Sequence, residues 1–127
     1  MSSMGSFRDL RVWQEAMKLA REVYRGTAIF PKHELYGLTQ QIRRAAVSVP
    51  SNVAEGKGRH SDKEFSHFLF NARGSLLELQ TQLILAEELG YLSAPETQRL
   101  LALAEGVGRA LSGLINSLRG VPRGDAA

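Results

Sequence analysis

Apolar residues that recur at alternating steps of three and four are the feature that most constrains the fold of this chain. The clearest run comprises Leu35, Leu38, Ile42, Ala45 and Val49. This spacing places the five side chains on one face of an α-helix, and we predict a helix from residue 32 to 49. Because Pro50 has no backbone N–H and crowds the carbonyl four residues earlier, we expect the helix to loosen there and to continue irregularly to Gly56.

Three other segments show the same spacing and carry their own start and stop signals. Helix one should begin near Ser6, and its inward stripe should be Leu10, Trp13, Met17, Ala20 and Tyr24, with Ala16 and Val23 beside it. Capping boxes should start helix three at Ser61 and helix four at Ser93, and glycines at Gly90 and Gly120 should end them. Four amphipathic helices with short connections predict an all-α fold, an antiparallel up-down-up-down four-helix bundle. The bundle should occupy residues 6–120, between disordered ends at 1–5 and 121–127.

Helix three carries a second apolar line on another flank. Phe70, Leu77 and Ile84 recur every seven residues. One apolar stripe is enough to bury a helix in its own bundle, so a second one indicates contact with another subunit. We therefore expect a homo-oligomer.

The composition excludes several classes of protein. The 127 residues include no cysteine, which rules out a disulfide scaffold, thiolate catalysis and cysteine-bound zinc. No apolar run approaches the length of a membrane span, and the first ten residues have no apolar core typical of a signal peptide. We expect a cytoplasmic protein that makes no membrane contact.

The charge is unevenly distributed along the chain. Residues 1–73 hold 12 of the 16 Lys and Arg residues but 7 of the 13 acidic residues. A basic first half suits a nucleic-acid partner, although solvated helix faces would produce the same pattern. The candidate phosphate contacts are a ridge on helix one and a rim around helix two: Arg11, Lys18, Arg25, Arg43, Arg44, Lys57, Arg59 and Lys63. The rim from Arg43 to Lys63 has no aromatic residues between its cations, so it would bind nucleic acid weakly and with little sequence preference.

A polar row lies beside the apolar seam of helix two. It consists of Gln41, Ser48, Asn52 and Glu55, and we expect it to be buried. One interpretation is structural: Ser48 and Asn52 bond backbone groups freed by Pro50, and Glu55 pairs with an arginine at the turn to helix three. The other is that the row contacts a ligand.

The sequence contains no recognisable catalytic or metal-binding motif. Its three histidines form no H-x-x-x-H or H-E-x-x-H pair, and E-x-x-H, which ferritin-like di-iron bundles repeat, occurs once. There is no phosphate-loop or nucleophile-elbow pattern, and neither Ser48 nor Ser75 has a histidine at helical spacing. We predict a protein that is not an enzyme, with no catalytic residue, metal or cofactor.

The residue pattern resembles that of a known family. L-x-x-Q-I-R-R-A-A-x-S-x-P-x-N-x-A-E-G runs from Leu38 to Gly56, and it is flanked by FRDLRVWQEA, FPKHELYGL and EFSHFLFNARGSLLEL. In these motifs the chain is similar to the bacterial four-helix-bundle proteins also called 23S ribosomal RNA intervening-sequence proteins, over roughly residues 7–119. More distantly it resembles the accessory variability determinants of diversity-generating retroelements. The resemblance implies a four-helix bundle and a pentamer.

Two functions are compatible with these observations. The first is an oligomeric module that binds structured RNA or DNA through the basic surface of helices one and two. The second is a structural or adaptor bundle whose apolar flank on helix three scaffolds a protein partner, such as a reverse transcriptase or a ribosome-associated factor. The two differ in salt dependence, since phosphate contacts weaken steeply with salt and apolar contacts do not.

Overall fold

The computed structural model describes residues 5–120, so the ends predicted to be disordered lie outside the described residues except for Gly5. Four α-helices form the structure: α1 (Arg11–Thr27), α2 (Leu38–Lys57), α3 (Asp62–Glu88) and α4 (Ala94–Leu118). Short 3-10 turns at Phe7–Asp9 and Lys32–Glu34 precede α1 and α2. Residues 5–120 contain no β-strand, which confirms the all-α fold class.

Each helix packs against two neighbours around one apolar core. α2 contacts α1 and α3, and α4 contacts α3 and α1. Fully buried leucine, isoleucine and valine side chains from all four helices fill the centre; among them are Leu19, Ile42, Leu69 and Leu111. Burial of such side chains stabilises the fold by about 1.5–3 kcal/mol each, before the entropy of ordering the chain is counted.

Helix α1 begins later than predicted and presents a different face to the core. Ser6 caps the 3-10 turn and not α1, since its hydroxyl accepts a hydrogen bond from the Arg8 N–H at 3.1 Å. The buried residues of α1 are Val12, Ala16, Leu19, Ala20, Val23 and Thr27. Of the stripe predicted for α1, Ala20 is buried, Leu10 and Trp13 pack partly buried against the core, Met17 is half-buried and Tyr24 is exposed. The prediction is therefore wrong at Tyr24, and it is confirmed for the flanking Ala16 and Val23, which are buried. The helix has apolar residues over a wide arc, and its smaller side chains allow the neighbouring helices to approach most closely.

Helix α2 is shorter at its start and more regular at its end than predicted. Residues 32–34 form a 3-10 turn, and the Glu34 carboxylate accepts a hydrogen bond from the Leu38 N–H at 3.0 Å, which caps α2 there. The helix runs through Pro50 to Lys57, so the irregular extension is not observed. Pro50 removes one backbone donor and crowds the carbonyl four residues earlier, but its ring is buried and α2 continues past it without a break. Leu35, predicted to face inward, is exposed.

The predicted boundaries of α3 and α4 are confirmed. The hydroxyl groups of Ser61 and Ser93 accept hydrogen bonds from the N–H groups three residues later, at 3.1 and 3.2 Å. Gly90 ends α3 with a φ of +83°, and the Tyr91 N–H donates to the Ala86 carbonyl at 2.9 Å, as in a Schellman motif. Local signals are reliable here because each cap needs only the residues within one turn of the chain.

Candidate nucleic-acid interface

The basic ridge on α1 is exposed but partly neutralised by its own helix. Arg11 pairs with Glu15 at 2.8 Å, and Arg25 pairs with Glu22. Lys18 is exposed and makes no ion pair within residues 5–120. Because neighbouring carboxylates compete with phosphate for these cations, Lys18 is the ridge residue most available to an anionic partner.

Arg43 is held between α1 and α2. Its Nε donates to the Thr27 hydroxyl at 2.9 Å, and its Nη2 donates to the Tyr24 carbonyl at 3.4 Å. The guanidinium carbon also lies 4.6 Å from the centre of the Tyr24 ring, within cation–π range. Arg43 was predicted as a phosphate contact, but in the structure it clamps the end of α1 to the first half of α2.

Arg44 points to the other side of α2. It lines a polar cavity of about 330 Å³ between α2 and α3, together with Gln41, Ala45, Ser48, Ser75 and Glu78. No carboxylate lies within ion-pair distance of Arg44 in the part of the chain that the structure describes. The two adjacent arginines, predicted to share one rim, therefore face opposite neighbours.

The remaining three cations of the predicted rim lie near the turn between α2 and α3. Lys57 ends α2, Arg59 follows it and Lys63 is in the first turn of α3. Lys57 is 13 residues from Arg44, which corresponds to about 20 Å along a helix. The structure thus divides the rim into separate groups, and it does not bring the eight candidate residues into one continuous patch.

Arg59 is the cation of this turn that both helices hold by side-chain contacts. Its guanidinium pairs with Glu55 at 2.7 Å, and it lies 4.6 Å from the centre of the Phe68 ring. This contact agrees with the structural interpretation of Glu55, which expected an arginine partner at the turn. It joins the end of α2 to the first turns of α3.

The polar row of α2 is only partly buried within the chain. Ser48 and Asn52 are half-buried, whereas Gln41 and Glu55 are exposed, so the prediction of a buried row is wrong for these two. Asn52 Nδ2 donates to the Ser48 carbonyl at 2.9 Å and to the Ser48 hydroxyl at 3.0 Å. The hydroxyl groups of Ser48 and Ser75 are 2.8 Å apart, which links α2 to α3. The half-buried members of the row are thus hydrogen-bonded inside the chain.

An apolar groove runs along the outside of the bundle between α1 and α2. Its volume is about 580 Å³. Its lining is mostly apolar, with two arginines and no acidic residue: Trp13, Met17, Ala20, Arg21, Tyr24, Arg25, Val47, Pro50, Ser51 and Ala54. From here on, this feature is called the α1–α2 groove.

The second apolar line of α3 is exposed, as its spacing predicted. Phe70, Leu77 and Ile84 have 38, 60 and 45% of their surface accessible. Phe70 is the most covered of the three, since the guanidinium groups of Arg73 and Arg119 lie against its ring. From here on, these three residues are called the α3 stripe.

Sequence reasoning missed the α1–α2 groove and did not place Arg21 in its lining. It assigned Trp13, Met17 and Tyr24 to the core, where large apolar side chains are normally expected. A second line at Val12, Ala16, Leu19 and Val23 has the same helical spacing and could have shown that α1 has more apolar surface than one core face needs.

A network of ion pairs joins α1 to α4. Arg99 on α4 pairs with Glu22 of α1 and with Glu96 of its own helix, at 2.7 Å in each case. These hydrogen bonds from Arg99 are the main cause of a lowered pKa at both carboxyl groups. The two carboxylates in turn raise the pKa of Arg99.

A third carboxyl group with a shifted pKa, Glu34, lies where the chain enters α2. Hydrogen bonds from the Leu38 N–H and then from the Tyr91 hydroxyl lower the pKa of Glu34. The bond to Glu34, at 2.9 Å, is also the main cause of a raised pKa for Tyr91. Both shifts come from hydrogen bonds that connect the start of α2 to Tyr91.

The described residues contain neither a cluster of metal ligands nor a candidate membrane span. Between residues 5 and 120, no group of three or more His, Asp or Glu side chains is arranged to hold a metal ion. Over the same residues, none of the helices combines the length and apolar character needed to cross a bilayer.

Comparison with known proteins gives one match. A family model described as 23S rRNA-intervening sequence protein matches residues 8–113. The match covers all of α1, α2 and α3 and most of α4. No curated protein matches the chain.

Proposed function

The chain belongs to the 23S rRNA-intervening sequence protein family, and from this premise we propose that it is a non-enzymatic, oligomeric four-helix-bundle protein of the cytoplasm that binds structured RNA or DNA through a basic surface. The observation that carries the proposal is the number of cations without an ion-pair partner in the first part of the chain. Between residues 5 and 73 these are Arg8, Lys18, Arg21, Lys32, Arg44, Lys57, Lys63 and Arg73, together with Arg43, whose guanidinium is held by Thr27 and Tyr24. Unpaired cations are free to replace the counterions of a phosphate backbone.

The surface favours backbone contacts over base recognition. Arg44 and Lys57 lie about 20 Å apart on α2, a distance that spans several phosphates of a nucleic-acid strand. The aromatic rings near these cations are not free to stack on bases, because Tyr24 and Phe68 already make cation–π contacts with Arg43 and Arg59. Binding should therefore be salt-dependent and tolerant of sequence.

We also propose the antiparallel up-down-up-down order for the four helices. Gly26, near the end of α1, lies against Leu100, near the start of α4, while Arg11 at the start of α1 shares a cavity with Arg109 near the end of α4. α2 and α3 pack together and are joined by only four residues, 58–61, which supports opposite directions for this pair.

We propose that the subunits of the oligomer meet at the exposed α3 stripe. Three large apolar side chains in one line are costly to leave in water, and a second subunit would cover them. The resemblance to the family implies five subunits. The same stripe also supports the second candidate function, an adaptor bundle that binds a protein partner.

The test is nucleic-acid retention during purification without nuclease. Light scattering and the 260/280 nm absorbance ratio are recorded at low and at high salt. We expect an oligomer with a mass that is a multiple of 14.0 kDa and nucleic acid that high salt removes. A clean oligomer at both salt concentrations would favour the adaptor, and a 14.0 kDa species would contradict the oligomer.

A double charge-reversal variant tests whether the basic surface binds the nucleic acid. Lys18→Glu with Arg44→Glu should reduce the slope of log affinity against log salt by about 1.4–1.8, since each phosphate contact contributes about 0.7–0.9. Arg109→Glu is the matched control, because Arg109 is an exposed cation of α4 without an ion pair among the described residues. An unchanged slope in the double variant would overturn the assignment to α1 and α2.

A further inference from the structure

We propose that the α3 stripe of one subunit docks into the α1–α2 groove of a second copy of this chain, in a head-to-tail contact that repeats around a ring. The inference rests on the proposed oligomer and names the two surfaces that build it. Each chain carries both surfaces, so each contact leaves one groove and one stripe for the next copy.

The two surfaces match in chemistry and in length. Phe70 and Ile84, the ends of the stripe, are 14 residues apart in sequence, or about 21 Å along the helix, and the groove runs from Trp13 to Tyr24, or about 17 Å. The side chains of the stripe stand out from α3, while the groove is a concave channel between two helices. Such a pairing is the helix-in-groove mode of recognition, in which apolar side chains one or two turns apart fill the channel.

The stripe and the groove lie on different faces of the bundle, so the two surfaces of one chain cannot contact each other. Phe70 lies beside Arg119 of α4, so the stripe faces the α4 side of α3. The groove lies on the opposite flank of α2 from α3, since α2 packs between α1 and α3. Two different, complementary patches on separate faces produce a heterologous contact, which closes into a ring when the rotation between copies allows it.

Charge complementarity identifies the second copy as the occupant. The groove lining includes Arg21 and Arg25 and no carboxylate. The stripe ends in an acidic segment, because residues 85–93 contain Glu87 and Glu88 and no Lys or Arg. Neither of these two glutamates makes an ion pair within the described part of the chain. Arg25 is already paired with Glu22, so Arg21 is the cation that the groove offers to a partner whose own apolar line is followed by acids.

The charges also set the direction of docking. Arg21 lies in the second half of α1, so the acidic end of the stripe, near Ile84, should meet Tyr24, and Phe70 should approach Trp13. α3 of one copy then runs parallel to α1 of the next. In an up-down-up-down bundle α1 and α3 share one direction, so all subunits of the ring would point the same way.

The experiment uses the absence of cysteine from the chain. Leu77→Cys places a thiol on the stripe, and Val47→Cys places one in the groove; both side chains are more than 40% exposed, so the fold should tolerate the changes. Under mild oxidation the double variant should form a disulfide-linked ladder on a non-reducing gel. Each single variant should run as an uncrosslinked chain on the same gel. The two single variants, when co-expressed, should give only a mixed dimer of about 28 kDa, twice the chain mass. Ala102→Cys, exposed on α4, is the control expected to remain uncrosslinked.

Two results would overturn the inference. Cross-linking of Leu77→Cys alone would show that stripes pair with stripes, as in a two-fold dimer. Absence of any ladder from the double variant would show that the groove and the stripe do not meet. Nucleic-acid retention is measured on the same samples. A ladder without bound nucleic acid would reject the proposed binding function and support the contact between subunits. Bound nucleic acid without a ladder would support the binding function and reject the contact.

Discussion

Individual polar side chains in this bundle are satisfied mostly within the chain. The Ser48 hydroxyl accepts from Asn52 Nδ2 and lies 2.8 Å from the Ser75 hydroxyl, which connects one turn of α2 to the middle of α3. Thr39 Oγ1 and Gln82 Oε1 are the buried side-chain atoms that lack a partner among the described residues. The internal bonding of Asn52 supports a structural role for the half-buried members of the polar row.

Asn52→Leu tests this role at the scale of one residue. The change removes two donated hydrogen bonds from a half-buried site, so the free energy of unfolding should fall by about 1 kcal/mol. Urea denaturation measures the change, with Gln40→Leu on the exposed side of α2 as the control. An unchanged or increased stability would indicate that the amide of Asn52 is reserved for a ligand.

At the scale of elements, the close approach of α2 and α3 depends on one glycine. A Cβ atom built at Gly56 would lie 2.7 Å from Phe68 Cβ and 2.9 Å from Phe65 Cδ1. Both distances are shorter than carbon atoms tolerate without movement. The last turn of α2 can therefore pack against the first turns of α3 only because this position has no side chain.

Gly56→Ala should reduce the free energy of unfolding by about 1–3 kcal/mol, because the added methyl group overpacks a buried contact. Gly106→Ala is the matched control inside α4, where the nearest atom is Arg109 Nη2 at 3.8 Å. There alanine should increase stability by up to about 1 kcal/mol through its higher helix propensity. Equal effects in the two variants would contradict the packing argument; thermal or urea unfolding distinguishes them.

At the scale of the whole molecule, Arg99 closes the bundle by joining its first and last helices. The pKa values of Glu22 and Glu96 lie below the ordinary value of 4.5 because Arg99 donates hydrogen bonds to both carboxylates. A carboxyl group with a lowered pKa in the folded state stabilises the protein above its unfolded pKa. This stabilisation is lost as the pH falls through the folded value.

Arg99→Gln should therefore make the protein less stable at neutral pH, and the difference from the unmodified chain should shrink as the pH falls below about 4.5. Denaturation curves at a series of pH values measure this difference. Arg109→Gln removes an exposed arginine without an ion pair among the described residues, and its curve should run parallel to that of the unmodified chain. A pH-independent effect of Arg99→Gln would rule out the linkage.

Much of the fold could be predicted from local sequence signals. The caps at Ser61, Ser93 and Gly90 depend on bonds within one helical turn, and the structure forms them as expected. The start of α2 could not be predicted in the same way. Its cap is the carboxylate of Glu34, and the position of that group also depends on Tyr91, 57 residues away.

The candidate site was less predictable than the fold. Arg43 and Arg44 are adjacent and chemically identical, so composition and spacing assign them the same role. In the structure one is clamped by Thr27 and Tyr24 and the other lines a cavity beside α3. Charge count predicts a basic surface, but only the packing decides which cations remain free.

The sequence by itself determined the helices, most of their ends and the family, because helical periodicity and capping are properties of neighbouring residues. It also determined that α3 has a second apolar line, since a seven-residue repeat is visible without coordinates. Only the tertiary structure decided that α1 buries Leu19 and leaves Trp13 and Tyr24 along a groove. The reason is that a helix with apolar residues over a wide arc can turn several faces inward, and the choice belongs to the neighbours that pack against it.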